Sequence, residues 1–278
     1  MKKIGVILLT LAILLSACGK AATTDHSARS ENKEQGHAGH ESSESAADTE
    51  GIQAVFKLSP DPVQAKQETE MTIQILDKNG KSVDDFDLNH EKKMHLILVS
   101  QDLAYYKHLH PTYQGKGLFT IRAALPAGGN YKLFADFKPS GLAQIVKSYV
   151  IKAGGEAAPS KALQPDSKLT ATVNGMEISL AVDHLMAGMD LDLTYTFKDA
   201  ATKAPITNLQ PYLGAVGHVV ILDEKADQYL HVHPVDEKSA GPEAKFKTSF
   251  PKSGIYKIWG EFQRDGQVIT VPFVVKVP

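Results

Sequence analysis

The chain has 278 residues, of which 42% are hydrophobic and 22% charged, and its formal net charge at pH 7 is −2. This length suits one large domain or two of ordinary size. So mild a charge argues against a nucleic acid or an anionic membrane surface as a partner, because both favour a basic face on the protein.

Residues 1–17 have the pattern of a secretory signal: lysines first, then an apolar run from Ile4 to Leu15, then small residues. The apolar run is too short for a comfortable transmembrane span. The ending LSAC resembles the bacterial lipobox, which implies cleavage before Cys18 and attachment of acyl chains such as palmitate to its thiol. We therefore expect a lipoprotein anchored at the extracytoplasmic face of the cell membrane; an ordinary signal with a chance cysteine is the alternative.

Cys18 is the only cysteine of the chain. Disulfides within the mature chain, cysteine-based zinc and blue-copper sites and cysteine nucleophiles are therefore excluded. The next segment, residues 18–51, is polar, made of small residues and low in complexity. Few apolar groups mean no core, so we predict a disordered tether. Its histidines, His26, His37 and His40, either capture metal loosely or belong to a soluble spacer.

From Ile52 onward the chain changes to short strand patterns with turn residues about every ten positions, which is the rhythm of a β-sandwich. Residues 52–153 form the first predicted domain. A linker rich in glycine, alanine and proline follows at residues 154–165, and strand patterns resume over residues 166–278.

The second domain repeats the first. MHLILVSQDLAYYKHLHP (94–111) matches GHVVILDEKADQYLHVHP (217–234), and a later block aligns as well. In that block the equivalent pairs are Phe119 and Phe246, Tyr131 and Tyr256, Phe134 and Trp259, and Asp136 and Glu261. The sequence therefore predicts an all-β protein of two tandem domains of one kind.

The blocks PYLGAVGHVVIL, YLHVHP and SGIYKIWGEF of the second repeat resemble the YtkA-like or FixH-like group of bacterial extracytoplasmic domains. The resemblance implies immunoglobulin-like β-sandwiches associated with copper handling. It covers both repeats, the second more clearly. The first repeat departs from it, because NHEKKMHLIL stands where the second has YLGAVGHVVIL.

Each repeat carries the spacing His-x12-His-x-His-Pro. The residues are His95, His108 and His110 in the first repeat and His218, His231 and His233 in the second. Residues two apart on a strand share a face, and facing residues of antiparallel strands do so too. If His95 lies opposite His108 or His110, three imidazoles converge; if it lies opposite Leu109, they do not. We expect the first arrangement, near a domain tip ended by Pro111.

Three imidazoles on one sheet face make a metal site with an open fourth position, and we predict one such site in each domain. The alternative is a solvated strand face copied by duplication. Imidazole suits Cu(II), Zn(II) and Ni(II), whereas a nearby thioether favours copper. Weaker candidate ligands are Met94, beside His95, and His184, Met186 and Met189 in the loop DHLMAGMD. The alternative for Met94 is a side chain on the core face of its strand, and the alternative for Met186 and Met189 is packing of the loop against the sandwich. We place copper first and zinc second.

Asp136 and Glu261 occupy equivalent positions and could orient a ligand histidine through its second ring nitrogen, although a solvent-facing acid is the commoner role. His90 has no counterpart in the second repeat, so we interpret it as a surface residue. No lipase elbow, HExxH motif or phosphate-binding glycine loop is present. We therefore expect no enzyme, with redox activity of a copper site left open.

These patterns together favour a lipid-anchored extracytoplasmic metal-binding protein that scavenges, buffers or delivers copper. Its partners would be the membrane, through the lipid, and an envelope protein that donates or accepts the metal. A structural or interaction module with incidental histidines, and a zinc-binding protein, are the alternatives.

Overall fold

The computed structural model describes residues 49–230 and 232–278. The predicted signal, the lipidation site Cys18 and nearly all of the predicted tether lie outside the described residues. Within them, every named element is a β-strand, and no helix is long and apolar enough to cross a membrane.

The first repeat folds into two antiparallel sheets. One has the strand order β1-β2-β7-β6, and the other has the order β3-β8-β4-β5 with β9 paired to β8. The strands are β1 (Gln53–Ser59), β2 (Glu68–Leu76), β3 (Phe86–Asp87), β4 (Met94–Ser100), β5 (Tyr106–Leu109), β6 (Thr112–Gly115), β7 (Leu118–Ala124), β8 (Gly129–Pro139) and β9 (Ile145–Ala153).

The second repeat has the same two-sheet plan, with strand orders β10-β11-β12-β16-β15 and β14-β13-β17-β18. Its strands are β10 (Thr170–Val173), β11 (Met176–Val182), β12 (Asp190–Asp199), β13 (His218–Asp223), β14 (Tyr229–Leu230), β15 (His233–Pro234), β16 (Glu243–Ser249), β17 (Gly254–Arg264) and β18 (Gln267–Val277). The predicted fold, two tandem immunoglobulin-like β-sandwich domains, is confirmed.

Each repeat has its own core between its two sheets. Strands such as β2 and β12 alternate buried and more exposed side chains, because successive residues of a strand point to opposite faces and only one face meets the core. Strands β4 and β13 differ, since all but the last residue of each is buried. Burial on both faces requires a second cover, and the other repeat supplies it.

A third apolar cluster lies between the repeats, and it is built from equivalent positions of both. Its paired members are Ile97 and Val220, Val99 and Leu222, Leu103 and Ala226, and Phe134 and Trp259. Tyr106 stacks on Trp259 with ring centroids 4.7 Å apart, and its equivalent, Tyr229, lies 5.6 Å from Phe134.

Two lysines make the same exchange across this interface. Lys132 Nζ donates to the carbonyl oxygen of Ala226 at 2.7 Å, and Lys257 Nζ donates to that of Leu103 at 2.8 Å. Each contact between the repeats thus recurs with the roles of the repeats exchanged. Reciprocal contacts of this kind are the mark of a two-fold axis between two units. The repeats therefore pack as an internal dimer with an approximate two-fold axis, within one compact unit.

The predicted linker is partly tied to the folded repeats. Gly154 forms a parallel bridge with Gln64, and Ala157 forms one with Gly128. Further along, Leu163 packs against the apolar cluster between the repeats. This segment thus helps to hold the second repeat against the first.

Candidate metal centre

Strands β4 and β5 bring the first repeat's histidines together. Their ladder pairs Ile97 with His108 and Leu96 with Leu109, so the next position in register places His110 opposite His95. The ligand nitrogen atoms of His95, His108 and His110 all lie within 4.8 Å of one another. The arrangement with His95 opposite Leu109 is therefore not the one that forms.

The cluster lies on the outer face of its sheet, against the other repeat. Ile97 and Val99 belong to the apolar cluster between the repeats, and side chains two apart on a strand share a face. His95 is on that same face and is only 1% exposed. Docking of the repeats therefore covers this residue, and the solvated strand face that was the alternative is not found at His95.

Two further histidines join the triad. His218, the first residue of β13, stacks on His95 with ring centroids 5.1 Å apart and rings 10° from parallel, and it lies 4.7 Å from His108. The ring of His90 lies 5.4 Å from that of His218 and 6.4 Å from that of His95. Five imidazoles, four from the first repeat and one from the second, thus gather at one end of the interface.

A chain of hydrogen bonds orients two of these rings. Nε2 of His95 lies 2.8 Å from the carbonyl oxygen of Asn89, which can only accept, so this nitrogen carries hydrogen. In the neutral ring Nδ1 is then the acceptor for Nε2 of His108 at 2.8 Å, while Nδ1 of His108 donates to Oε2 of Glu261 at 2.6 Å. With hydrogen on both nitrogens, the ring of His108 in this chain of bonds is the charged imidazolium. The chain thus runs from the first repeat into the second.

Burial keeps several of these imidazoles neutral. It lowers the pKa of His95 to about 3, with the charge of His108 as the next cause, and the same two causes lower the pKa of His110 to about 3. Burial also holds the pKa of His218 well below its usual range and lowers that of His90. Since a histidine binds metal only in its neutral form, these rings are ready to act as ligands at neutral pH.

One nitrogen of the triad is left over by the protein's own hydrogen bonds. Nε2 of His110 is buried and has no hydrogen-bond partner in the described part of the chain. A buried polar atom without a partner costs about 1–3 kcal/mol, so such atoms are rare in folded proteins and call for an explanation. Two imidazoles held neutral, His95 and His110, and a His108 that gives up one hydrogen on binding, with a carboxylate behind its ring, make a donor set that fits Cu(II) or Zn(II).

The two predicted orienting acids are buried, at 3% exposure for Asp136 and 4% for Glu261. Solvent-facing acids, the alternative interpretation, are therefore ruled out by their burial. They lie opposite His95 and His218 in their sheets. Glu261 bonds His108, whereas Asp136 accepts from Gln144 at 2.6 Å and from the hydroxyl of Tyr229 at 3.1 Å.

Other predicted ligands are not brought to the cluster. Met94 lies in the core of the first repeat, on the face of β4 opposite to His95. Met186 and Met189 are exposed, and exposed His184 lies 3.3 Å from the carboxylate of its neighbour Asp183.

In the second repeat, His218 and His233 lie on strands of different sheets. His233 is exposed and pairs with Lys247, and it lines a small pocket together with His90 and His218. His231, like His26, His37 and His40, lies outside the described residues. Sequence reasoning missed His90, which was interpreted as a surface residue because the second repeat has no counterpart. Its position only five residues before His95 was the available hint.

Comparisons with solved structures give weak overlaps. The chain is 12% identical to the Yersinia pseudotuberculosis adhesin InvE over 82% of its own length, with a TM-score of 0.26, and it spans 59% of that chain. For a two-domain fibronectin type-III segment of chicken tenascin the identity is 14%, the coverage is 80% of this chain and 97% of that chain, and the TM-score is 0.23. At these TM-scores the likeness carries no argument about function.

No curated protein matches the sequence significantly. A family profile does match, twice, over residues 47–154 and 171–278, which together make up more than half of the chain. The two matches fall on the two repeats seen in the structure. The chain therefore belongs to the family described as Domain of unknown function (DUF8832) and carries two copies of that domain.

Proposed function

We propose that this protein binds a metal ion, copper before zinc, outside the cytoplasmic membrane, and that it scavenges, buffers or delivers that ion. The observation that carries the proposal is the triad His95, His108 and His110, whose ligand nitrogens lie within 4.8 Å of one another. Copper is placed before zinc because of the resemblance to YtkA-like and FixH-like domains, and because imidazole nitrogen is a preferred ligand of Cu(II).

The hydrogen bonds of the triad indicate how an ion would be accepted. Nδ1 of His95 and Nε2 of His108 are directed at one another, 2.8 Å apart, with one hydrogen between them. An ion in place of that hydrogen needs metal–nitrogen distances of about 2.0 Å, so the two rings would move apart to admit it. The nitrogens that bond Asn89 and Glu261 are the other ones of each ring and are not used by the ion. The unpartnered Nε2 of His110 supplies the third ligand. Binding would thus release a proton and satisfy a buried nitrogen.

The anchor belongs to the same proposal. Lipid on Cys18 would hold the protein at the extracytoplasmic face of the cell membrane, and the tether would let the folded repeats meet an envelope protein that donates or accepts the metal. In this role the chain is a carrier with no catalytic activity of its own.

The test is metal retention by the untagged chain without its signal. His26, His37 and His40 are replaced by alanine so that the tether holds no ion. After loading with Cu(II), Cu(I) or Zn(II) and desalting, we expect Cu(II) to be retained stoichiometrically. The double variant His108→Ala/His110→Ala should retain none, because it removes two of the three imidazoles of the triad.

The matched control is His184→Ala, which removes an exposed histidine and should change nothing. Retention of copper by the double variant would refute the triad as the site. If the parent protein itself retains neither copper nor zinc, the interaction module becomes the better interpretation; preferential retention of zinc would replace copper as the cargo.

A further inference from the structure

The histidine cluster lies at the approximate two-fold axis between the repeats. His95 and His218 are equivalent residues, and their rings stack on each other at 5.1 Å. A residue can touch its own equivalent only close to the axis that relates the two halves. The proposed metal site of the first repeat is therefore not a site inside one domain.

The distances place His218 of the second repeat beside the triad of the first. Within the triad the ring centroids are 4.6 to 5.3 Å apart, and His218 lies 4.7 Å from His108 and 5.1 Å from His95. The ring of His218 is thus as close to those of His95 and His108 as the triad's rings are to one another, although only the triad's ligand nitrogens all lie within 4.8 Å of one another. An ion held by the three first-repeat imidazoles would have the fourth imidazole beside it.

The second repeat also supplies the acid behind the triad. Glu261 lies opposite His218 in the ladder of β13 and β17, and its carboxylate accepts from Nδ1 of His108. The side chains of His108 and Glu261 are 1% and 5% exposed. A carboxylate on the second nitrogen of a ligand histidine fixes the ring's orientation and strengthens its donor nitrogen.

We propose that the two repeats close one shared metal centre at their interface, in which His218 is the fourth imidazole and Glu261 positions His108. This rests on the proposed metal-binding function and replaces the expectation of one site per domain. The chain then binds one ion, and the site is complete only when the repeats are docked. Four imidazoles with no sulfur among them suit a divalent ion, Cu(II) before Cu(I).

The experiment measures Cu(II) in the same tether-substituted chain by stoichiometry, affinity, electron paramagnetic resonance and X-ray absorption. The parent should bind one ion with four imidazoles. His218→Phe keeps a ring in the stack but no ligand, so the imidazole count should fall to three and the affinity by about tenfold or more. His218→Gln should behave alike, which guards against a packing effect of the phenyl ring.

Glu261→Gln separates positioning from ligation. It should weaken Cu(II) binding by roughly 10–100-fold while four imidazoles remain bound. His184→Phe, an exposed histidine of the same repeat, should leave all four measurements at parent values.

Two outcomes would overturn the shared centre. One is a capacity of two independent ions, of which His218→Phe removes one and leaves the spectrum of the other unchanged. The other is one ion whose affinity and spectrum ignore His218→Phe while His108→Ala/His110→Ala abolishes binding; metal binding then stands and only the shared centre fails. A parent that retains no metal would instead refute the proposed function itself.

Discussion

The two repeats carry the same histidine spacing, yet they use it differently. In the first, β5 stays on β4 as far as Leu109, so His108 and His110 remain on the outer face beside His95. In the second, the described pairing of β14 with β13 covers Tyr229–Leu230, and the chain has joined the opposite sheet by His233. Identical spacing along the chain thus places the last histidine beside the first in one repeat and on the other sheet in the second.

The ladders give the size of the difference. In the first repeat Tyr113 lies opposite Phe119, and in the second Pro234 lies opposite Phe246, the equivalent of Phe119. Since Pro234 corresponds to Pro111, the second repeat crosses between its sheets two residues earlier. In the proposed shared centre the first repeat gives three imidazoles, and the second gives His218 and the carboxylate of Glu261. The duplication would thus supply the two halves of one site.

The largest effect is expected at the interface that joins these halves. Trp259 is buried there, stacked on Tyr106 at 4.7 Å. Trp259→Ala should lower the free energy of unfolding by about 3–5 kcal/mol, because it removes the largest ring of the interface and leaves a cavity. Urea denaturation of the metal-free protein measures it.

Val268→Ala is the control for that change, since Val268 is an exposed apolar residue of the same sheet and should cost less than about 0.5 kcal/mol. If Trp259→Ala costs no more than the control, the two repeats are not held together by this cluster.

The next effect compares equivalent histidines directly. His110→Ala removes a buried nitrogen of the triad and should weaken Cu(II) binding by roughly 100-fold, about 2.7 kcal/mol. His233→Ala removes an exposed ring and should change the affinity by less than about threefold. Competition titration against a chelator measures both, and equal losses would show that the repeats contribute alike and that the comparison is mistaken.

Much of the fold was predictable because local patterns carry it. Alternating strands, turn residues and the match between the repeats predicted two sandwiches of one kind, and the His-x12-His-x-His spacing predicted that first-repeat imidazoles share a face. The apolar runs after His95 and His218 indicate burial on both faces of β4 and β13. Which surface packs on a buried face depends on long-range contacts, and the sequence of the strand does not show it.

The rest of the site depends on that same choice. Only docking of the outer faces brings His218 onto His95 and carries Glu261 to His108. The sequence also contains no sign that the second repeat passes from one sheet to the other two residues earlier, since the two His-x12-His-x-His segments have the same length. His90 was not predicted because it has no equivalent in the second repeat, and the prediction depended on residues that recur in both.

The last comparison concerns pH and the metal-free protein, and it separates buried from exposed histidines. Burial lowers the pKa of His95 to about 3, against about 6.5 in an unfolded chain. Between these values the unfolded chain binds a proton at this position and the folded protein does not. Stability therefore rises with pH in this window and is lost as pH falls from about 6.5 towards 3, by at most about 1.4 kcal/mol per pH unit for this group.

His95→Phe should therefore make the free energy of unfolding less dependent on pH by about one proton between pH 6 and 4. The phenyl ring keeps the stack with His218 but takes up no proton in either state. His184→Phe, on an exposed loop of the second repeat, should keep the slope of the parent. Urea denaturation at half-unit pH steps, with a chelator present, measures all three proteins. An unchanged slope in His95→Phe would mean that the interface opens to water before the protein unfolds, so that this imidazole titrates as an exposed one does.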